Sequence, residues 1–160
     1  MKVICDSSVL IGLTKIGKIQ LLNQIFRSIY LPEAVFHEVV TKGRGKPGVK
    51  EISNAKWIYK KAVQDRRNVE MLEAELGLGE AEVLVLGKEL SADWLILDDE
   101  RARTAAISAG FQVIGLLGIL LLAKERKLIP AVKPLLDELQ DKNFRVSDKI
   151  RREVLRKAKE

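Results

Sequence analysis

Three short apolar runs, separated by stretches of helical periodicity, constrain the fold of this chain more than any other feature. The runs are Val3–Cys5, Trp94–Leu97 and Phe111–Ile114. Uninterrupted runs of this kind are typical of strands that are buried on both faces of a parallel sheet. Because helical stretches alternate with these strands, the sequence predicts an α/β fold with a central parallel sheet and helices on both faces.

Two weaker strands complete the predicted sheet. Residues 28–31 form a β-prone run ended by Pro32, and residues 57–59 are followed by Lys60 and Lys61, which is typical of a sheet edge. The other predicted segments are helices over 9–14, 19–26, 33–41, 49–54, 69–76, 80–90, 100–109, 116–127, 130–140 and 147–158, a Gly- and Lys-rich loop over 41–47, and a charged turn over 65–68. We expect one domain over 1–128, with a C-terminal helical extension over 129–160 packed on it.

Composition excludes several kinds of site. The 160 residues carry a formal net charge of +6, so polyanions are plausible partners. The lone cysteine, Cys5, and the lone histidine, His37, exclude an intrachain disulfide and a structural zinc site. The most apolar stretch, residues 113–123, is too short to span a bilayer, and no signal peptide is visible. We therefore expect a cytoplasmic protein with no membrane partner.

Two of the buried strands end in aspartate. Asp6 follows the first strand, and Asp98 and Asp99 follow the run that ends at Leu97. In open α/β sheets, ligands bind outside the carboxyl ends of the strands. Adjacent parallel strands lie about 4.8 Å apart, so these carboxylates can approach one another. The alternative is that Asp6 or Ser7, and likewise the Asp98–Asp99 pair, only cap the helices that follow.

Two glutamates are less firmly placed by the pattern. Glu80 begins a helix that leads into the strand before Asp98 and runs back along the sheet, so simple topology does not place it at the same edge. A favourable interaction with the helix dipole is the alternative role for Glu80. Glu38 lies on the helix after Pro32, where a solvated position is the alternative.

Carboxylates that converge in a cleft of low dielectric constant repel one another strongly. A divalent cation with oxygen ligands, Mg²⁺ or Mn²⁺, relieves that repulsion. Such an ion can activate water for an in-line displacement at phosphorus, and a basic surface around it would hold a phosphodiester. The residues therefore predict an acidic, metal-dependent site on a parallel sheet.

The chain resembles the PIN-domain family, a group of Mg²⁺- or Mn²⁺-dependent ribonucleases with a three-layer α/β/α sandwich. It is most similar to a prokaryotic branch of that family. The resemblance covers nearly the whole chain and rests on four stretches in order: CDSSVLIGL, LPEAVFHEVV, GLGEAEVLVLGKELSADWLILDDERAR and VIGLLGILLLAKERKLIPAVKPLLDEL.

The resemblance implies a role for individual residues. Asp6 matches the first metal-binding aspartate of the family, and Ser8 matches the small polar residue that supports it. Glu38 matches the acid on the helix after the second strand. Glu80 matches the third acid, which in the family meets the others in one pocket.

The fourth acidic position is ambiguous, because Leu97 stands where many relatives have a threonine and the two acids after it are adjacent. Asp98, Asp99 or both could serve. Arg101 and Arg103, just past this pair, could contact substrate phosphate or simply lie on a solvated helix face.

The implied activity is hydrolysis of RNA phosphodiester bonds by metal-activated water. Asp6, Glu80 and Asp98 or Asp99 would hold Mg²⁺ or Mn²⁺, and Glu38 would ligate through water or orient the nucleophile. The substrate would be single-stranded or structured RNA. The resemblance also implies a toxin of a toxin–antitoxin pair, inhibited by a small antitoxin protein, and a homodimer.

Other functions fit the sequence less well. A PIN-like module that binds RNA or protein without cutting is the main alternative. A receiver domain would place its paired acids after an early strand, and a haloacid-type phosphatase would need aspartate where Ser8 stands. A Ser/His/Asp hydrolase would depend on His37, which lies within an apolar helix and more plausibly packs or makes a surface contact.

Overall fold

A five-stranded, fully parallel sheet forms the centre of the molecule, and its strand order is β3-β2-β1-β4-β5. The computed structural model describes all residues, 1–160. The strands are β1 (Val3–Cys5), β2 (Ile29–Pro32), β3 (Ile58–Lys61), β4 (Trp94–Ile96) and β5 (Gln112–Ile114). Helices cover both faces, so the predicted α/β/α fold is confirmed.

Ten α-helices surround the sheet. They are α1 (Ser7–Lys15), α2 (Gln20–Phe26), α3 (Glu33–Phe36), α4 (Val49–Asn54), α5 (Arg66–Glu73), α6 (Leu78–Glu89), α7 (Glu100–Ser108), α8 (Leu116–Glu125), α9 (Lys133–Asp141) and α10 (Asp148–Lys157). Helix α3 continues directly into a π-helical turn, His37–Thr41, in which the Lys42 amide donates to the His37 carbonyl at 2.9 Å. Turns of this kind are often found at functional sites.

The first strand is the centre of the sheet. Ile4 pairs with Tyr30 of β2 on one side and with Leu95 of β4 on the other. All three residues of β1 are completely buried. This position explains why the run Val3–Cys5 carries no polar side chain, since both faces of a central parallel strand pack against helices.

The last strand differs from its prediction. The apolar run Phe111–Ile114 predicts a buried strand, but β5 lies at the edge of the sheet and pairs only with β4. Gln112 is exposed, and Val113 and Ile114 are only half-buried. Strand β3 forms the other edge, as its flanking lysines predict.

A second difference concerns the charged segment 65–68, which is the start of a helix rather than a turn. Asp65 caps α5, because its Oδ1 accepts a hydrogen bond from the Asn68 amide at 3.1 Å. The same residue types suit turns and helix N-termini, so the sequence did not separate the two.

The C-terminal helices belong to the same hydrophobic core as α8, and α10 contacts α8 directly. Leu136 and Leu139 of α9 are completely buried, and Val154 of α10 is nearly so. Arg151 of α10 also pairs with Asp137 of α9 at 2.6 Å. The division of the chain at residue 128 stays a prediction. None of the helices is both long enough and apolar enough to cross a membrane.

Candidate active site

Asp6 lies directly after β1 and both caps a helix and faces a second carboxylate. Its Oδ1 accepts from the Val9 amide at 3.1 Å, which caps α1. Its Oδ2 accepts from the Ser8 hydroxyl at 3.2 Å and from the Asp98 amide at 3.4 Å. The side chain is only 2% exposed. The cap predicted for Asp6 is therefore confirmed, and its role as a metal-binding carboxylate stays a prediction.

Asp98 lies at the end of the neighbouring strand, after Leu97. Its Oδ1 accepts from the Leu116 amide at 2.9 Å, at the start of α8. Its Oδ2 is buried and has no hydrogen-bond partner. Gly115 permits this arrangement, because a Cβ there would lie 2.5 Å from Asp98 Oδ1. Buried polar atoms almost always have partners, so the second oxygen of Asp98 requires an explanation.

Burial raises the proton affinity of both carboxylates. Burial, followed by the charge of Asp98, raises the pKa of Asp6 to about 7, although hydrogen bonds from Val9, Asp98 and Ser8 oppose the increase. Burial also raises the pKa of Asp98, and the hydrogen bond from the Leu116 amide, followed by the charge of Arg103, partly offsets the increase. Neither carboxylate has a cationic side chain within ion-pair distance.

This environment fits a divalent cation. A buried and a half-buried carboxylate lie close together, and the buried Oδ2 of Asp98 lacks any donor. Mg²⁺ is commonly bound through one or two carboxylates, with water and substrate phosphates completing its shell. No group of three or more His, Cys, Asp or Glu side chains lies close enough to hold an ion in this structure. The donor set is therefore the Asp6–Asp98 pair, with the remaining positions left to water or substrate.

Glu38 reaches the same edge of the sheet from the other side of Asp6. It lies in the π-helical turn that follows β2 and α3, and its Oε2 accepts from the Ser7 hydroxyl at 2.9 Å. In the order of the sheet, β1 stands between β2 and β4, so Asp6 lies between Glu38 and Asp98. The side chain of Glu38 is exposed, which leaves it accessible to substrate or water.

Helix α6 begins at this edge, contrary to the topological expectation for Glu80. A helix that leads into a parallel strand runs antiparallel to it, so the start of the helix lies beside the carboxyl ends of the strands. A Cβ at Gly79 would lie 3.7 Å from Glu38 Oε2, which shows how close α6 comes to the site. The Glu80 carboxylate folds back over Gly77 and does not join a group with Asp6 and Asp98.

Asp99 has a different environment from Asp98. It is exposed, and its Oδ1 accepts from the Ala102 amide at 2.9 Å, which caps α7. The structure thus places Asp98 beside Asp6 and Asp99 in a helix cap, a geometry that favours Asp98 for the fourth acidic position. The expectation that Asp99 binds metal has no support from this geometry.

The residues predicted to contact substrate also have different environments in the structure. Arg103 lies at the site, where its Nη1 donates to the Leu97 carbonyl at 3.0 Å. Arg101 is exposed and lines a shallow depression with Leu76 and other residues, away from the acids. Ser8 supports Asp6 through its hydroxyl. His37 is exposed at the start of the π-helical turn, consistent with a surface role.

Sequence reasoning missed one buried charge. Glu82 is 3% exposed and accepts from the Ala34 amide at 2.9 Å and from Arg66 Nη1 at 2.7 Å. It therefore fixes the start of α3, the element that carries Glu38 in its continuation. The available signal was a lone acid within the apolar run that begins at Ala81.

A groove of about 580 Å³ opens beside Asp98. Its floor is apolar and comes from β5, α8 and α10. Three cationic residues line it, namely Arg103, Arg145 and Lys157. Glu153 also lines it and pairs with Lys157 at 3.4 Å, so the two arginines carry the uncompensated positive charge. We call it the arginine groove. It brings positive charge to the β5 side of the acidic pair.

Comparison with known proteins agrees with this fold. A family model described as a PIN domain matches residues 2–160, which includes the C-terminal helices. No curated protein matches the chain.

Proposed function

The chain belongs to the PIN-domain family, whose members are generally nucleases, and on this premise we propose that it is a divalent-metal-dependent ribonuclease. The reaction would be hydrolysis of RNA phosphodiester bonds with Mg²⁺ or Mn²⁺. The observation that carries the proposal is the pair of Asp6 and Asp98, in which one buried oxygen of Asp98 has no partner.

The pair is difficult to explain as a purely structural feature. A cap needs only one carboxylate oxygen, and Asp6 Oδ1 and Asp98 Oδ1 already satisfy the amides at the starts of α1 and α8. The two remaining oxygens are held in a buried environment that disfavours their charge. Raised carboxylate pKa values of this kind are typical of functional sites, where a bound cation or substrate stabilises the charged form.

The residues divide the work between them. Asp6 and Asp98 would hold the ion, which supplies an activated water and neutralises charge on the phosphate. Glu38, steadied by Ser7, would orient the attacking water. Glu80 would reach the site by a change of rotamer, because it already lies on the correct edge of the sheet. Arg103 would contact the phosphate from the Asp98 side.

The direct test is cleavage of a labelled single-stranded RNA with Mn²⁺ or Mg²⁺. We expect cleavage by the wild-type protein, loss of cleavage with EDTA, and loss in the Asp6→Asn and Asp98→Asn variants. Cleavage that persists in both variants would contradict the proposal. RNA binding without cleavage by the wild-type protein would favour the alternative, a non-catalytic PIN-like binding module.

As part of the same proposal, we place the activity in the cytoplasm, as the toxin of a toxin–antitoxin pair that forms a homodimer. The test is controlled expression in a bacterial host. Growth arrest by the wild-type protein, and none by Asp6→Asn, would support a toxin. Normal growth despite verified nuclease activity would contradict that role, and light scattering of the purified protein tests the dimer.

A further inference from the structure

A second groove opens beside Glu38, on the opposite side of Asp6 from the arginine groove. It has a volume of about 360 Å³ and is lined by parts of α1, the π-helical turn, the loop after it and α4. Three lysines line it, namely Lys15, Lys46 and Lys142. We call it the lysine groove. Because Glu38 is also a lining residue, the groove is continuous with the candidate active site.

The charge of the lysine groove is poorly compensated. Glu38 is the only carboxylate that lines it, and its Oε2 accepts from Ser7. Lys15 and Lys46 form no ion pair. Lys142 pairs with Glu138 at 3.2 Å. Like charges that gather without partners repel, so an anionic ligand would stabilise this surface.

Specific contacts fix the segments that carry these lysines. Gly48 has a φ of +84°, and a Cβ there would lie 2.8 Å from Thr14 Cβ, so only glycine lets the loop pack this tightly on α1. This contact fixes the loop that carries Lys46. The Lys142 ammonium donates to the Lys15 carbonyl at the end of α1. Three segments far apart in sequence are thereby joined around one opening.

The positive surface continues beyond the groove. An adjoining depression shares Lys46 and adds Arg44 and Lys50, and no carboxylate lines it. Lys46, Arg44 and Lys50 thus extend the positive surface outward from Glu38 over the loop. A track of this kind suits a polyanion, whose phosphates recur along its length, better than a small anion, which needs one enclosed site.

We infer that the lysine groove binds the backbone of the nucleic-acid strand on one side of the scissile phosphate, while the arginine groove holds the strand on the other side. The inference rests on the proposed function for the location of the scissile phosphate. The order of the sheet places the acids between the two grooves, since Glu38, Asp6 and Asp98 follow β2, β1 and β4 in turn. The strand therefore crosses the acids from one cationic groove to the other.

The test separates binding from cleavage. Binding of a fluorescein-labelled single-stranded RNA is measured by anisotropy in EDTA, so that no cleavage occurs, over a series of salt concentrations. The variant is Lys15→Gln/Lys46→Gln. The matched control is Lys56→Gln/Lys88→Gln, which removes the same charge from two exposed lysines. Lys56 precedes β3 and Lys88 lies at the end of α6, so both lie beside the amino ends of the strands, away from the acids at the carboxyl ends. Thermal melting checks that both variants fold.

We expect the groove variant to bind roughly ten-fold more weakly, and its log–log salt slope to fall by about one for each lysine removed. The control should match the wild-type protein within about two-fold. Equal binding by the groove variant and the control would overturn the inference, as would absence of RNA binding by the wild-type protein.

A separate cleavage assay on the same proteins keeps the two proposals apart. Binding that depends on Lys15 and Lys46, without cleavage by the wild-type protein, would support the groove and refute the nuclease. Cleavage by the wild-type protein that is unaffected by the groove variant, together with unchanged binding, would refute the groove and retain the nuclease. Should the double variant melt early, the single Lys46→Gln variant repeats the measurement, with an expected slope change of about one.

Discussion

The backbone amide of Asp98 donates to the carboxylate of Asp6 at 3.4 Å, across two neighbouring parallel strands. This contact joins residues that are 92 positions apart in the chain. The two acids lie side by side because β1 and β4 pair in register up to Cys5 and Ile96. The metal site that we propose depends on this register.

The first prediction distinguishes the two adjacent aspartates. Loss of a residue that hydrogen-bonds to a metal ligand typically lowers activity roughly 10–100-fold. Asp98→Asn alters a proposed ligand itself, so it should lower cleavage by more than that. Asp99→Ala should retain cleavage but destabilise the fold by about 1 kcal/mol, because it removes the cap of α7. Cleavage assays and urea denaturation of both variants give the answer. Loss of activity in the Asp99 variant at unchanged stability would reverse the assignment.

The second prediction concerns stabilisation by metal. An ion that binds only the folded protein stabilises it by about 2.7 kcal/mol when its concentration is 100 times its Kd. Mn²⁺ should therefore raise the melting temperature of the wild-type protein in a concentration-dependent manner. Asp6→Asn and Asp98→Asn should abolish this increase. An equal increase in wild type and variants would show that the ion binds elsewhere.

The third prediction concerns pH in the metal-free protein. The pKa of Asp6 is about 7 in the folded chain against an ordinary value of 3.8, so the folded state binds this proton more tightly. The stabilisation from Asp6 is thus complete below about pH 4 and is lost as the pH rises through 7.

The measurement is urea denaturation in EDTA between pH 4.5 and 8, for the wild-type protein and for Asp6→Asn. The wild type should lose stability relative to the variant as the pH rises, by on the order of 2–4 kcal/mol. A difference between the two proteins that stays constant across this range would show that burial does not disfavour the charged form of Asp6.

The fourth prediction separates two glutamates on one helix. Glu82→Ala should destabilise the protein by about 1.5–3 kcal/mol, because it leaves the Ala34 amide without its charged acceptor. Arg66 is half-exposed and returns to water, so its loss of a partner adds little. Glu80→Ala should change stability by less than about 1 kcal/mol.

The same two glutamates should have the reverse order of importance for cleavage. Glu80→Ala should lower cleavage, since Glu80 lies at the active edge, whereas Glu82→Gln, which keeps an acceptor for Ala34, should retain most of it. Denaturation and cleavage of these variants check both expectations. A stability loss for Glu80→Ala as large as that for Glu82→Ala would indicate that Glu80 has a structural role.

Much of the fold follows from local patterns in the sequence. The run Val3–Cys5 predicts a buried strand, and the structure places it at the centre of the sheet. Prediction fails where the same residue type suits two environments. The apolar run before Gly115 is an edge strand, because it pairs only with β4, and an apolar pattern does not show which neighbours a strand has.

The candidate site shows the same division. The two aspartates could be placed at one edge because parallel strands end together. The choice between Asp98 and Asp99 depended on side-chain direction, which the sequence does not report. Glu80 could be placed at this edge only through the family resemblance, because the sequence pattern does not show at which end of the strands a helix begins; the structure shows that α6 begins beside Glu38. Glu82 was overlooked because its partners, Ala34 and Arg66, are distant in the chain.

The most direct test of the central claim is a crystal structure of the protein soaked with Mn²⁺, with anomalous diffraction data to locate the ion. We expect an anomalous peak between the carboxylates of Asp6 and Asp98, with the free oxygen of Asp98 among the ligands of the ion. No peak at this pair at saturating Mn²⁺, or a peak at Asp99 instead, would contradict the claim.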